Sequence, residues 1–157
     1  ANLKDEVPGY TGQGYEIVGF GWHQGWNDRI NAKAVDAYEK NMALFIKDMR
    51  RDLDAPDMFF VIANTGIGGW DIPDTARYKQ RVEKHMNGQL ALADPERHPE
   101  FAGTVGGVET RDFYRTQEQS PSKQGFHWHR NWETYYLIGE AMGEVMVDLI
   151  EAQNQDE

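Results

Sequence analysis

Residues 58–63, Met-Phe-Phe-Val-Ile-Ala, are apolar without interruption, and they decide the fold class of this chain. A continuous apolar run of this length is typical of a parallel strand that is covered on both faces. The helix-ending stretch Ala-Pro-Asp at 55–57 precedes the run, and a glycine-rich stretch at 64–70 follows it. We therefore predict a buried parallel strand with a loop on either side.

The segment in front of this strand predicts a helix from Lys33 to Leu53. Its apolar residues recur in steps of three and four, which places them in one stripe along a helix: Val35, Tyr38, Met42, Phe45, Ile46, Met49 and Leu53. Further upstream, residues 16–22 (Glu-Ile-Val-Gly-Phe-Gly-Trp) form another short apolar run and predict a second buried strand. Strand, helix and strand in this order predict a right-handed βαβ unit.

Three further elements continue the alternation. We predict a helix from Thr75 to Leu92, a third strand from Thr104 to Glu109 that two glycines at 106–107 weaken, and a last helix from about Trp132 to Ala152. The alternation predicts a single α/β domain over residues 1–157. Its architecture would be a three-layer α/β/α sandwich with a mainly parallel sheet.

Composition bounds the function of this chain. Its 157 residues suffice for one domain with one core. Acidic residues outnumber basic ones by 26 to 16, and the resulting charge of −10 repels phosphate backbones and anionic lipids, so we expect neither a nucleic-acid nor a membrane partner. Because cysteine is absent, thiol catalysis, disulfide bonds and zinc-thiolate sites are excluded. The only serines are Ser120 and Ser122, which lie in a polar stretch with a proline.

The functional groups of an open α/β sheet lie in loops beyond the carboxyl ends of its strands. For this chain that rule selects residues 22–29, 64–71 and 124–132. The first and third of these windows hold three of the five histidines and four of the five tryptophans. This clustering indicates a polar pocket with aromatic walls.

The first window leaves its strand as residues 22–28, Trp-His-Gln-Gly-Trp-Asn-Asp. A glycine lets the backbone approach a ligand closely, and the amide groups of Gly25 and Asn27 can donate hydrogen bonds to negative charge that develops in a reaction. This is the chemistry of an oxyanion hole. Alternatively, the window is a tight turn in which Asn27 or Asp28 caps the following helix. The two interpretations are compatible.

The third window leads from Gln124 into the last helix. A neutral imidazole is the usual general base near pH 7, so His127 is a candidate for that role. A structural or surface histidine is the alternative. The His-x-His spacing of His127 and His129 would suit a metal, but neither cysteine nor a tight carboxylate cluster completes a site. The glycines at 66–69 lack the lysine and the spacing of a phosphate loop, and they predict a turn.

At these two windows the chain resembles a known family. Residues 17–28, the helix after them, and residues 124–127 before a tyrosine-rich helix are similar to the sialate O-acetylesterase-like carbohydrate esterases of the SGNH hydrolase superfamily. Residues 25–28 match the Gly-x-Asn-Asp block of the superfamily letter for letter. Residues 22–25 resemble the Trp-His-Gln-Gly run of the acetylesterase branch, and the resemblance extends over most of the chain.

The resemblance implies a flavodoxin-like α/β/α sandwich that cleaves acetyl esters, often on sugars, through a serine, a histidine and usually an aspartate. It implies no cofactor. His127 would be the general base, and Gly25 and Asn27 would bind the oxyanion. Four residues would line the pocket for an acetylated carbohydrate: His23, Gln24, Trp26 and Trp128. Secreted and periplasmic enzymes are common in such families, but the residues themselves indicate no compartment.

The chain departs from the family pattern at three places. It has no Gly-Asp-Ser or Gly-Gln-Ser-Asn block, Gln124 stands where the superfamily often has aspartate, and Trp26 replaces the acidic residue that usually follows Gln-Gly. We therefore expect the C-terminal portion of an esterase domain, nearly inactive alone. Its exposed sheet edge would be covered by a missing N-terminal polypeptide or by a homo-oligomer partner. The alternative is a non-catalytic carbohydrate-binding or assembly subunit that lacks the nucleophile.

Overall fold

Three parallel strands with helices on both faces form the framework of the protein. The computed structural model describes residues 2–73 and 78–156. The strands are β1 (Gly19–Trp22), β2 (Phe59–Ala63) and β3 (Val105–Val108), and the helices are α1 (Leu3–Glu6), α2 (Ala32–Asp52), α3 (Lys79–Leu90) and α4 (Trp132–Asp156). The predicted strands and helices are confirmed, except that residues 75–77 of the predicted helix Thr75–Leu92 lie outside the described residues. The single turn α1 was not predicted.

The three strands are parallel and adjacent in the order β1–β2–β3, so their carboxyl ends lie together at one end of the sheet. Phe60 of β2 lies between Phe20 of β1 and Val105 of β3 in a parallel register. The carboxyl ends of the strands, from Trp22 to Val108, therefore lie side by side. The first two windows selected from the sequence, after β1 and β2, leave the sheet at this end.

Helix α2 covers one face of the sheet. Phe60 and Ile62 of β2 pack on this face with Ile46 of α2, and all three side chains are fully buried. Burial of a side chain of this size stabilises the fold by about 1.5–3 kcal/mol. The apolar stripe predicted for this helix is the surface that supplies the contact, and α3 packs beside α2.

Helix α4 covers the other face, and glycines let it approach the sheet closely. A Cβ atom added to Gly21 of β1 would lie 3.1 Å from Met142 Cε, and one added to Gly106 of β3 would lie 3.2 Å from Leu149 Cδ1. Of the two glycines that weaken β3 as a strand sequence, Gly106 is thus a site at which α4 packs on the sheet, whereas Gly107 faces Leu90 and Ala93 on the other side. Helices on both faces confirm the predicted three layers.

One edge of the sheet is unpaired, and one side of α4 exposes apolar side chains. Within the described residues β1 pairs only with β2, so its other side is an edge. On α4, Trp132 is 76% exposed and Tyr136 is 61% exposed. Both features agree with the expectation of a sheet edge and helix faces that need cover. None of the described helices, α4 included, is long and apolar enough to cross a lipid bilayer.

The cap of α2 is Asn31, so the interpretation of Asn27 or Asp28 as this cap is wrong. The Asn31 side chain accepts hydrogen bonds from the N–H groups of Lys33 (3.0 Å) and Ala34 (3.4 Å), whereas the Asn27 side chain makes no capping bond. We expect Asn31→Ala to lower the free energy of unfolding by about 1 kcal/mol, because two helical N–H groups lose their partner.

Urea denaturation measures this loss, with Asn27→Ala as the matched control. The control should change the free energy of unfolding by less than about 0.5 kcal/mol, as is usual for a surface position. Equal losses in the two variants would contradict the assignment of the cap.

Candidate active site

The loops that leave the three strands meet the segment before α4 around one cavity of about 250 Å³. Its walls come from every one of these segments: Trp26 and Arg29 after β1, Ile67 and Gly68 after β2, Tyr78 before α3, Tyr114 after β3, and Gly125, Trp128 and His129 before α4. The three windows selected from the sequence therefore meet at one place. A larger hollow of about 660 Å³ beside residues 15–18 lies at the amino ends of the strands, where α/β enzymes do not place their functional loops.

Two buried side-chain amides join the loops to one another. Gln89 of α3 accepts a hydrogen bond from the Thr65 N–H (2.9 Å) and donates one to the Gln24 carbonyl oxygen (2.6 Å). Asn64 accepts a hydrogen bond from the Thr110 N–H (3.0 Å). Both amides are fully buried, and each buried group left without a partner costs about 1–3 kcal/mol. These bonds fix the loops after β1, β2 and β3 relative to one another.

Gly25 is required because the first loop packs closely against its neighbours. Its φ is +149°, and a Cβ atom there would lie 2.7 Å from Thr65 Cγ2, 2.9 Å from Gln89 Nε2 and closer still to the His85 ring. Neither the Gly25 nor the Asn27 amide donates a hydrogen bond to another described residue. The two N–H groups are therefore uncommitted, as an oxyanion hole requires.

Within the first window, Gln24, Gly25 and Asn27 do not line the cavity, although Trp26 does. Gln24 is exposed, and its Nε2 donates a hydrogen bond to the Asp28 carboxylate (2.8 Å). Asn27 is exposed, and its side chain makes no hydrogen bond with any residue that the structure describes. The Asn27 side-chain amide is thus free to bind a ligand, whereas the Gln24 side chain would first have to break its hydrogen bond with Asp28.

His23 contacts Trp128 of the cavity wall but does not itself line the cavity. Its ring lies 4.9 Å from the Trp128 ring between centroids, and its Nδ1 lies 3.3 Å from the Ala63 carbonyl oxygen. Burial lowers the pKa of His23, which is therefore neutral at pH 7. The contact with Trp128 joins the first window to the third.

Residues 127–130 of the third window form a left-handed turn. Their φ angles are 52°, 44°, 53° and 59°, although none of them is glycine. Left-handed backbone costs about 1–2 kcal/mol per such residue, so surrounding contacts must hold it in place. Two of these are hydrogen bonds from the Asn131 N–H to the Trp128 carbonyl oxygen (2.9 Å) and from the Ser122 N–H to the His129 carbonyl oxygen (3.2 Å).

The left-handed turn separates the two histidines of this window. His129 lines the cavity, with its Nε2 3.2 Å from Tyr114 Oη and its Nδ1 buried. His127 is exposed, and its ring packs edge-on against Phe126 at 5.1 Å between centroids. Since the segment is not an extended strand, the two imidazoles do not share a side, and no three His, Asp or Glu side chains cluster around a metal position in residues 2–73 and 78–156.

Both serine hydroxyls are engaged in shaping the loop before α4. Ser120 Oγ donates a hydrogen bond to the Thr116 carbonyl oxygen (2.7 Å) and accepts one from Asn131 Nδ2 (3.1 Å). Ser122 Oγ accepts a hydrogen bond from the Gln124 N–H (3.1 Å). Neither serine lines the cavity, and neither hydroxyl forms a hydrogen bond with an imidazole of the described residues.

Sequence reasoning missed four residues that build the site: Arg29, Asn64, Gln89 and Tyr114. A signal for Gln89 was present, because it falls at helical spacing on the same side of the third helix as Val82 and Met86. A polar residue on an apolar face needs a buried partner. Tyr114 carried no such signal, since it belongs to an irregular polar segment whose path depends on distant contacts.

Buried histidines make the stability of the protein depend on pH. His85 is fully buried and both ring nitrogens lack a partner among the described residues; burial lowers its pKa, as it does for His23. Near pH 6.5 these two histidines therefore bind protons in the unfolded chain but stay neutral in the folded chain. We expect the free energy of unfolding to fall as the pH decreases from 7 to 5, by at most about 1.4 kcal/mol per pH unit for one histidine.

Urea denaturation at several pH values tests this dependence. His85→Met removes the titrating group at similar volume and should flatten the slope, whereas Met86→Leu in the same core keeps His85 and should retain it. An unchanged slope in His85→Met would show that burial of this imidazole has no role.

Residues 6–98, more than half of the chain, match the family model described as carbohydrate esterase, sialic acid-specific acetylesterase. The matched range holds β1, α2, β2, α3 and the first two of the loops around the cavity. Comparisons with curated proteins and with solved structures found no match. The predicted family is confirmed, and this chain belongs to the sialic acid-specific acetylesterase family of carbohydrate esterases.

Proposed function

We propose that this chain carries the general base and the oxyanion-binding loop of a carbohydrate O-acetylesterase, and that a segment outside these 157 residues supplies the nucleophilic serine. Membership of the family supports an esterase that acts on acetylated carbohydrates. One observation carries the proposal: the loop after β1 and the loop before α4 line the same cavity. The engagement of both serine hydroxyls in loop hydrogen bonds supports an external nucleophile.

The proposed reaction has two halves. The serine hydroxyl attacks the acetyl carbonyl carbon while His127 accepts its proton, and the negative charge on the carbonyl oxygen is stabilised by the backbone N–H of Gly25 and by the backbone N–H and side-chain amide of Asn27. Collapse of this intermediate breaks the ester C–O bond, and His127 returns the proton to the departing sugar oxygen. A water molecule, deprotonated by His127, then attacks the acetyl-serine and releases acetate and the free serine.

His127 suits the role of base better than His129 does. A general base must lie within hydrogen-bond reach of the nucleophile. The His127 imidazole is exposed and uncommitted, so a serine that arrives on another segment can reach it. One ring nitrogen of His129 lies against Tyr114 and the other is buried. We assign His129 to the wall of the cavity.

The aromatic side chains of the cavity supply the sugar-binding surface in this proposal. Trp26 and Trp128 line the cavity from opposite windows, and flat aromatic faces pack against the apolar faces of sugar rings. His23 would act through its ring contact with Trp128. Gln24 would contribute once a substrate hydroxyl replaces Asp28 as its hydrogen-bond partner.

The segment that brings the serine would also cover the exposed surface. The free edge of β1 offers unpaired backbone groups to a further strand, and the apolar side of α4 offers a surface for packing. A homo-oligomer partner is the other source of cover. Mass measurement of the native assembly distinguishes a second polypeptide from a second copy.

Replacement of His127 tests the assignment of the base. In an assembly that contains the serine-bearing segment, His127→Ala should lower hydrolysis of an aryl acetate by at least about 100-fold, because general base catalysis is lost. His98→Gln is the matched control, since this imidazole is bonded to Glu39 and does not line the cavity. A His127→Ala assembly that keeps its rate would overturn the assignment.

Replacement of Asn27 tests the oxyanion loop. If the Asn27 side chain donates to the oxyanion, Asn27→Ala should cost on the order of 3 kcal/mol of transition-state stabilisation, about 100-fold in kcat/KM. Asn31→Ala, which alters the helix cap a few residues away, should keep its kcat/KM. A loss below twofold in Asn27→Ala would remove its side chain from the mechanism.

A non-catalytic sugar-binding subunit is the second candidate. The observation that favours it is the absence of a serine at the cavity among the described residues. Glycan binding without acetate release by the complete native assembly would establish this function. Acetate release that depends on His127 would exclude it.

A further inference from the structure

The Arg29 side chain is largely buried and has no anionic partner among the described residues. Arg29 is only 9% exposed, and its Nε is buried without a hydrogen bond. Its side chain forms no hydrogen bond and no ion pair with any described residue. Buried arginines are ordinarily paired, because an uncompensated buried charge costs several kcal/mol.

Arg29 lacks a carboxylate partner because of its position in the fold, and not because the chain is short of acidic residues. The chain has 26 acidic residues against 16 basic ones, so carboxylates are abundant. The neighbouring Asp28 accepts a hydrogen bond from Gln24, Glu109 pairs with Arg111, and Asp112 accepts a hydrogen bond from Trp70. These three carboxylates are thus bonded to other groups, and Arg29 has no anionic partner among the described residues.

The position of Arg29 directs this charge into the cavity. Arg29 lines the cavity with Trp128 and His129, and its guanidinium lies 3.9 Å from the centroid of the Trp26 ring and 5.9 Å from that of Tyr78. Stacking on aromatic rings holds the planar group in one orientation. A guanidinium held in this way presents its N–H groups as a fixed fork, which suits the two oxygens of a carboxylate.

We propose that Arg29 is a specificity-determining residue that binds the carboxylate of an acidic sugar in the cavity beside Trp26. The substrate would then be recognised at two points, with its carboxylate on Arg29 and its ring on the tryptophans. This inference rests on the proposed function, since it takes the cavity to be the sugar site. Burial also lowers the pKa of Arg29, as expected for a cation that lacks its counter-ion.

Binding of sialic acid and of its methyl ester to the 157-residue chain tests the inference. The two probes differ in the charge of the carboxyl group and in one methyl group, and the comparison with Arg29→Gln separates the effect of the charge from that of the added methyl. Titrations followed by nuclear magnetic resonance should show the free acid binding at least tenfold more tightly than the ester, as expected for a charge-assisted pair. Arg29→Gln should abolish this preference. Arg115→Gln, at an arginine paired with Glu133 and absent from the cavity wall, should preserve it.

Equal affinities of the wild-type chain for the acid and the ester would overturn the inference, and this comparison does not depend on whether a variant folds. A preference that survives in Arg29→Gln would also overturn it. Failure of this inference is distinguishable from failure of the proposed function. Release of acetate from a neutral acetylated sugar by the complete assembly, without any preference for the acid, would reject the role of Arg29 alone.

Discussion

Two buried amides, Gln89 and Asn64, determine where the functional groups of this protein lie. Gln89 bonds the loop after β1 to the loop after β2, and Asn64 bonds the loop after β2 to the segment after β3. Each amide donates and accepts at once, and each is fully buried. Because water cannot replace these partners, any large shift of one loop leaves polar groups unsatisfied. The cavity follows from this constraint.

The remaining wall of the cavity depends on a strained segment. Four consecutive residues before α4 adopt left-handed backbone, which turns His129 inward and His127 outward. This strained backbone is kept in place by the contact of His129 with Tyr114 and by the ring contact between Trp128 and His23. Two histidines two residues apart therefore have different surroundings: His129 lies in the cavity wall, and His127 is exposed to solvent.

Much of the fold was predictable from the sequence, and less of the site. The uninterrupted apolar run 58–63 and the three-four spacing of the helix after residue 32 are local patterns, and both correctly predicted their elements. The rule that functional loops follow the carboxyl ends of the strands then selected three windows, and all three contribute to one cavity. Arg29, Asn64 and Gln89 were missed because a buried polar residue looks like a surface residue until its partner, far away in the chain, is known.

A hydrolytic site divided between the loop after β1 and the loop before α4 requires that the two loops meet at one cavity. Nuclear Overhauser contacts between the His23 and Trp128 rings in the 157-residue chain measure this proximity. The rings lie 4.9 Å apart between centroids, so we expect clear cross-peaks, comparable to those of Trp22 and Phe45 at 4.8 Å in the core. Cross-peaks for the core pair without any for His23 and Trp128 would show that the two loops do not meet.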